Sequence, residues 1–234
     1  MHRAEELLNA AEKHLKEARP EIVRVTKAGD FRRGSELAGD LSLVAEVPKL
    51  PDGPKTITAG GQLSVYLTDA AHYGVTLLLA TGSEAHLVGL RTVAAERKMI
   101  LDDKGLRRGT KIVAAANEEA IYKALGMQAI PPELREGRDE IGRALAATLP
   151  NLVTDDDIAG ILHAHTDSSD GADTLETMAE ATLSRGYEYF GVADHSKSAH
   201  YAGGLTMEEG YRTAGGGRCP EQEIRRAFPH LQRH

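Results

Sequence analysis

The sequence predicts a mixed α/β chain in two parts, on three observations. An amphipathic helical stretch opens the chain, and short alternating strand patterns mixed with helix signals follow it to about residue 136. From Ile158 a strand–helix–strand order takes over. The 234 residues suffice for one large domain or two small ones.

In residues 3–18, Leu7, Leu8, Ala11 and Leu15 recur at helical spacing with Glu and Lys between them, and Pro20 ends the helix. Residues 22–25 are a short apolar stretch and 27–34 read as a loop. A buried strand is predicted over 41–47, and Leu50-Pro-Asp-Gly-Pro54 as a turn. Residues 56–58 and 63–67 alternate as strands do, joined by Gly60-Gly61. A helix is predicted over 85–98, a turn over 105–109, and a helix over 118–125 with Gly126 as its C-cap. The prolines of Ile130-Pro-Pro-Glu-Leu-Arg-Glu-Gly137 stop regular structure, and the charged residues after them read as a connection. Then come a strand over 158–164, a helix over 175–185 and a strand over 189–193. Asp173 and Glu176 are spaced to cap that helix and Gly186 to end it. Beyond Gly203 the pattern fades into a Gly-rich break at 214–220 and a short charged tail, expected to be mobile.

Composition narrows the function classes. Hydrophobic residues are 41 % and aromatics only 4 %, without Trp, so aliphatic side chains must fill the core. The net charge of −7 argues against an overall basic nucleic-acid binder, and any grip on DNA must be local. Cys219 is the single cysteine, which excludes an internal disulfide. A charged N-terminus and the lack of an apolar run near the roughly 20 residues of a bilayer span lead to the expectation of a soluble, cytoplasmic protein with no membrane partner.

Two constellations carry chemistry. The first is Gly29-Asp-Phe-Arg-Arg-Gly34 followed by Gly39-Asp-Leu-Ser42. Nucleotidyl transfer needs two divalent cations held by carboxylates on adjacent strands, and a Gly-rich turn brings backbone amides to a triphosphate. Here only Asp40 is a well-placed carboxylate. The second is His163-Ala-His165, Asp170 and Asp194-His195. A His-x-His on a strand puts both imidazoles on one face, and the carboxylate and third histidine suit Zn²⁺, Mn²⁺ or Fe²⁺.

The first constellation resembles the palm of bacterial family X DNA polymerases, with its Gly-Ser-x-Arg-Arg-Gly and Gly-Asp-x-Asp motifs. Leu63-Ser-Val-Tyr-Leu67 falls where that family has its third metal-binding aspartate. Thr81-Gly-Ser83, Ala85-His86, Leu90-Arg91 and the 122–137 segment are similar to its thumb. The second constellation resembles the first two motifs of the PHP phosphoesterase domain that follows the thumb in bacterial members. There Gly160-Ile-Leu-His-Ala-His165 has Ile161 for the family's aspartate, Ala193-Asp-His-Ser-Lys-Ser198 is intact, and Ala202-Gly-Gly-Leu-Thr206 also fits.

The resemblance implies a palm at 1–78, a thumb at 79–136, a linker at 137–157, an incomplete PHP β/α barrel at 158–209 and a tail at 210–234. It implies Asp40 as catalytic and metal-binding residue, Gly29, Arg33 and Gly82 at the nucleotide, and Arg91 near DNA. His163, His165, Asp170 and His195 would be metal ligands. Mg²⁺ or Mn²⁺ would serve the palm and Zn²⁺ or Mn²⁺ the PHP part, with gapped or primer-template DNA and a deoxynucleoside triphosphate as partners. Departures stand beside these matches. The triphosphate-binding serine is Asp30, the second and third metal aspartates are Ser42 and Ser64, the aromatic pair before Thr81 is Leu79-Ala80, and the thumb asparagine is Leu87. Serine is neutral, so two cations would be left uncompensated, and polymerisation is expected to be lost or very weak. Residual nucleotidyl-transferase or nuclease activity, a non-catalytic DNA-binding module and a truncated remnant are the competing readings; on the bland one, Arg32, Arg33 and Asp40 are mere surface charges.

Overall fold

The computed structural model describes residues 2–51, 55–59 and 63–196, and the chain divides into two compact units between Pro150 and Asn151. The expected turn at 50–54 lies partly outside the described residues. Gly60-Gly61, the motif residues Lys197, Ser198 and 202–206, and everything after Gly203 lie outside them altogether.

In the first unit, α1 (His2–Ala18) is followed by β1 (Arg24–Ala28), the short α2 (Gly29–Arg32), β2 (Leu41–Glu46), β3 (Thr56–Ala59) and β4 (Leu63–Thr68). The four strands form one sheet in the order β1-β2-β4-β3, in which β2 and β4 are parallel and the outer pairs antiparallel. Alternation along β2 sends Leu41, Leu43 and Ala45 to the face that packs on Leu8 of α1, together with Val65 and Leu67 of β4. The other face carries Ser42 and Val44. There Val44 and Ala28 meet Tyr73 and Leu77 of α3 (Tyr73–Thr81). Covered on both sides, β2 is buried throughout.

The chain continues through α4 (Glu84–Glu96), the meander β5 (Ile100–Asp102), β6 (Gly105–Arg108) and β7 (Lys111–Ala114), then α5 (Glu118–Ala124) and α6 (Glu140–Leu145). Their shared core includes Val75, Leu78, Leu90, Leu106, Ile121, Tyr122 and Ala144. Gly74 is needed where α3 meets the chain before α5: a Cβ there would lie 2.2 Å from the Asn117 backbone.

Several local expectations are corrected. The 27–34 loop is the end of β1 plus α2, because pairing with β2 holds the chain extended as far as Ala28. Residues 105–109 are not one turn. Gly105 (φ 114°) opens β6 and Gly109 (φ 59°) follows it, and the reversals lie on either side of the strand. The charged connection after Gly137 includes α6, which buries Glu140 and Ala144 in the first unit.

In the second unit β8 (Gly160–Ala164), α7 (Leu175–Ser184) and β9 (Tyr189–Val192) form the expected βαβ unit with parallel strands. The cap of α7 is Thr174, whose hydroxyl accepts from the Thr177 N–H at 3.2 Å, rather than Asp173. Ile158, Leu162 and Val192 are left exposed in this unit, Leu162 by 70 %. Among the described residues, no helix is long and apolar enough to cross a membrane.

Candidate functional site

The β1–β2 connection sets up the first constellation. Gly29 turns the chain at φ 65°, and a Cβ there would lie 2.4 Å from the Asp40 carbonyl oxygen, so this close approach admits only glycine. Register across the sheet then decides what faces the site. Ala28 pairs with Ser42, Ser42 with Ser64, and Ser64 with Thr58. In-register residues of neighbouring strands share a face, so these four form a row without a carboxylate. Asp40 stands exposed just before β2 and accepts a hydrogen bond from the Ser42 hydroxyl at 2.8 Å. A two-metal centre requires anionic oxygens from adjacent strands; the adjacent strands here offer neutral hydroxyls.

The turn's charged side chains are committed within the chain. Asp30 accepts from the backbone N–H groups of Gly39 at 2.8 Å and Asp40 at 2.9 Å, and its other oxygen accepts from Arg33. Arg33 also donates to the Thr81 carbonyl at 2.7 Å and to Glu136 at 2.6 Å, so all three guanidinium nitrogens are engaged. Arg32 donates to both oxygens of Glu118, at 2.9 and 2.6 Å, and to the Thr81 hydroxyl. The two arginines are therefore partly buried staples, and only Asp40 fits the surface-charge reading. Gly82 joins α3 to α4, where a Cβ would crowd His86 and Leu87 at 3.0 Å. Arg91 is exposed on α4.

Behind this face lies a buried polar network that sequence patterns do not show. Arg135, whose side chain is 3 % exposed, donates to Glu118 and to the Ile130 carbonyl and lies over the Tyr122 ring. Burial alone would push the Glu118 carboxyl up; the guanidiniums of Arg32 and Arg135 outweigh it and hold the group below its ordinary value. His86, fully buried, sits between Glu140 (Nδ1–Oε1 2.8 Å) and the Tyr122 hydroxyl (3.1 Å). Burial lowers the His86 pKa despite the opposing pull of Glu140, and burial raises that of Tyr122.

The second unit gathers His165, Asp170 and His195, whose ligand atoms all lie within 4.8 Å of one another. His165 Nδ1 is 2.9 Å from Asp170 Oδ1 yet is not aligned with it as a hydrogen bond, and His195 Nε2 is 3.5 Å from Asp170 Oδ2. Ligand atoms sharing a metal at bond lengths of roughly 2.1 Å lie about 3–3.5 Å apart, a spacing the two Asp170 separations approach, so the trio is a candidate to hold one cation. His163 does not join it. The β8–β9 register shifts between Ile161 and Ala164 and His163 adopts φ 62°, which breaks the alternation the His-x-His expectation relied on, although its ring stays 5.3 Å from that of His165. Asp194 is occupied as a brace, accepting from the Thr166 N–H and hydroxyl and from Ser169.

Against known proteins, residues 76–136 match the DNA polymerase beta thumb family. The "DNA polymerase/3'-5' exonuclease PolX" of Bacillus subtilis (strain 168) is 31 % identical over 212 residues, covering 80 % of this chain. The chain belongs to the bacterial family X DNA polymerases. It spans 37 % of the length of the Bacillus relative.

In this family X chain the thumb match takes in Gly82, Arg91, His86, Glu118 and Tyr122. Glu118 escaped sequence reasoning because an acid in the first turn after an Asn cap looks like ordinary helix-dipole compensation. Only tertiary packing puts two guanidiniums on it. Arg135 and Glu140 lie in the charged stretch after two prolines, which carries no burial signal.

Proposed function

We propose that this chain is a DNA-binding relative of the family X polymerases whose palm does not extend primers. The observation that supports this most strongly is the row Ala28–Ser42–Ser64–Thr58 on the sheet positions where a two-cation site would need carboxylates. Asp40 alone cannot hold Mg²⁺ or Mn²⁺ in the two-metal manner, and the Arg33 guanidinium is already spoken for by Asp30, Glu136 and Thr81. Family kinship supports gapped or primer-template DNA as the partner in a repair setting, gripped through the thumb with Arg91 as a phosphate contact, and Gly82 at the nucleotide. Deoxynucleoside triphosphate is a weaker expectation. Binding of a labelled gapped duplex should fall as salt rises, and Arg91→Ala should weaken it and flatten its salt slope by about one unit. Salt-independent or undetectable binding would leave a remnant without a DNA role.

A second reading is favoured by the His165–Asp170–His195 geometry: a PHP-type site holding one Zn²⁺ or Mn²⁺. When bound, such an ion would supply Lewis acidity and a water of lowered pKa. The chain's own part is to fix the two imidazoles and one carboxylate, with Asp194 bracing the Thr166–Ser169 turn that carries Asp170. The Bacillus relative is named as an exonuclease as well as a polymerase, so phosphoester hydrolysis is the activity this site would support.

A further inference from the structure

The outer face of the β5–β6–β7 sheet is apolar at its centre and cationic at its rim. Leu101, Leu106 and Ala114 are buried in the shared core, so the opposite face of the same strands looks outward. Register places Ile100, Arg107 and Ile112 side by side on that face. The shift after Leu106 leaves Val113 as an extra residue in β7, next to Ile112. Ile100, Ile112 and Val113 are each about half exposed, at 51, 48 and 45 %.

Positive charge is concentrated around these residues. Residues 97–111 carry six Lys and Arg against two Asp, a net charge of +4 in a chain whose total is −7. Arg107 is clamped by both oxygens of Asp102, at 3.1 and 2.5 Å, which fixes its guanidinium and leaves its aliphatic stem in the apolar stripe. Lys98, Lys104, Arg108 and Lys111 are exposed, and among the described residues none of them is in an ion pair. A rim of uncommitted cations around an apolar stripe complements an acidic amphipathic surface. Phosphate groups would meet the cations but gain nothing from the isoleucines, and residues 97–111 include no aromatic ring on which a base could stack. β5 and β7 stand two strand spacings apart, roughly 10 Å. An α-helix with its side chains is about 10–12 Å across, so one helix covers both isoleucines.

We infer that this face docks an acidic amphipathic helix of a partner protein. The apolar stripe of that helix covers Ile100, Ile112 and Val113, while its carboxylates meet Lys98, Lys104, Arg108 and Lys111. The docking uses none of the residues assigned above to DNA, nucleotide or metal, so it stands or falls apart from those readings.

The test is fluorescence anisotropy of the full chain against a labelled peptide with leucine along one helical face and glutamate and alanine elsewhere. Saturable binding is expected, weakening as salt rises and lost when the leucines are scrambled. Lys104→Glu with Lys111→Glu should weaken it at least about tenfold, because like charges then face each other. Ile100→Ser with Ile112→Ser should also weaken it, while leaving its salt dependence unchanged. All four positions are exposed, so both double variants should keep the circular-dichroism spectrum of the native chain. Lys98→Glu with Arg108→Glu serves in place of either one that unfolds. No saturable binding, equal binding of the scrambled peptide, or equal affinity in the native chain and the variants would overturn the inference. So would charge reversals that weaken binding of a gapped duplex and not of the peptide, since the face would then be a nucleic-acid surface. Self-association in sedimentation that Ile100→Ser with Ile112→Ser abolishes would overturn it too, by making the occupant a second copy.

Discussion

Glu118→Ala tests the buried bridge between α2 and the segment after α5. In the native chain the carboxylate answers two guanidiniums, Arg32 at 2.6 Å and Arg135 at 2.5 Å, with side-chain exposures of 13 % for Glu118, 21 % for Arg32 and 3 % for Arg135. Removing the acid leaves Arg135 as a buried cation whose remaining support is the Ile130 carbonyl and the Tyr122 ring. Breaking a buried pair by deleting one partner costs about 3–5 kcal/mol, whereas an exposed pair is worth about 0–1 kcal/mol. The larger range applies here. At roughly 2–4 °C per kcal/mol for a chain of this size, the melting temperature should fall by about 6–20 °C. Urea denaturation at neutral pH measures the free energy directly. The pH dependence has a definite sign. The folded Glu118 pKa lies below the ordinary glutamate value of 4.5, so its stabilisation is present above that pH and is lost as pH falls through the folded value. The gap between the native chain and Glu118→Ala should therefore narrow in acid. A difference below about 1 kcal/mol at neutral pH would show that water reaches the bridge and would refute the reasoning.

Three further outcomes are expected. The folded His86 pKa is lowered from 6.5, so the unfolded chain takes up a proton that the folded one resists. Stability should drop as pH falls through and below 6.5, and His86→Gln should flatten that part of the curve in urea melts. One equivalent of Zn²⁺ should bind the second unit in competition with a chromogenic chelator. His165→Ala, Asp170→Ala or His195→Ala should each weaken it by more than about tenfold, while His163→Ala leaves it unchanged. Finally, Ser42→Asp, Ser64→Asp and Asp30→Ser combined should bring back detectable primer extension on a gel. A triple variant that folds but extends nothing would place the defect elsewhere, at Leu79 or Ala80.

Much of the scaffold was legible because its burial is one-sided or its punctuation strong. Alternation marked β4, Gly126 ended α5, and the strand–helix–strand order gave the second unit. The helix α3 was not legible: six of its nine residues are buried, so it carries no polar face to set a 3.6-residue rhythm. The serines at 42 and 64 were readable as departures, but that they stand side by side follows from the parallel β2–β4 register, which no local pattern encodes. Asp30 read as a misplaced anion, and its partners became evident only when the turn brought Gly39 and Asp40 back over it. That His165, Asp170 and His195 come together was legible in their motifs, while His163 stands apart because a register shift defeats the period-two argument.

The central claim is that this palm cannot support nucleotidyl transfer. The most direct measurement uses end-labelled primer on gapped DNA with Mg²⁺ or Mn²⁺ and all four deoxynucleoside triphosphates, resolved by length. No lengthening is expected with either ion, and shortening would report the histidine site of the second unit without touching the claim. Primer lengthened by even a few nucleotides, and abolished by Asp40→Ala, would contradict it.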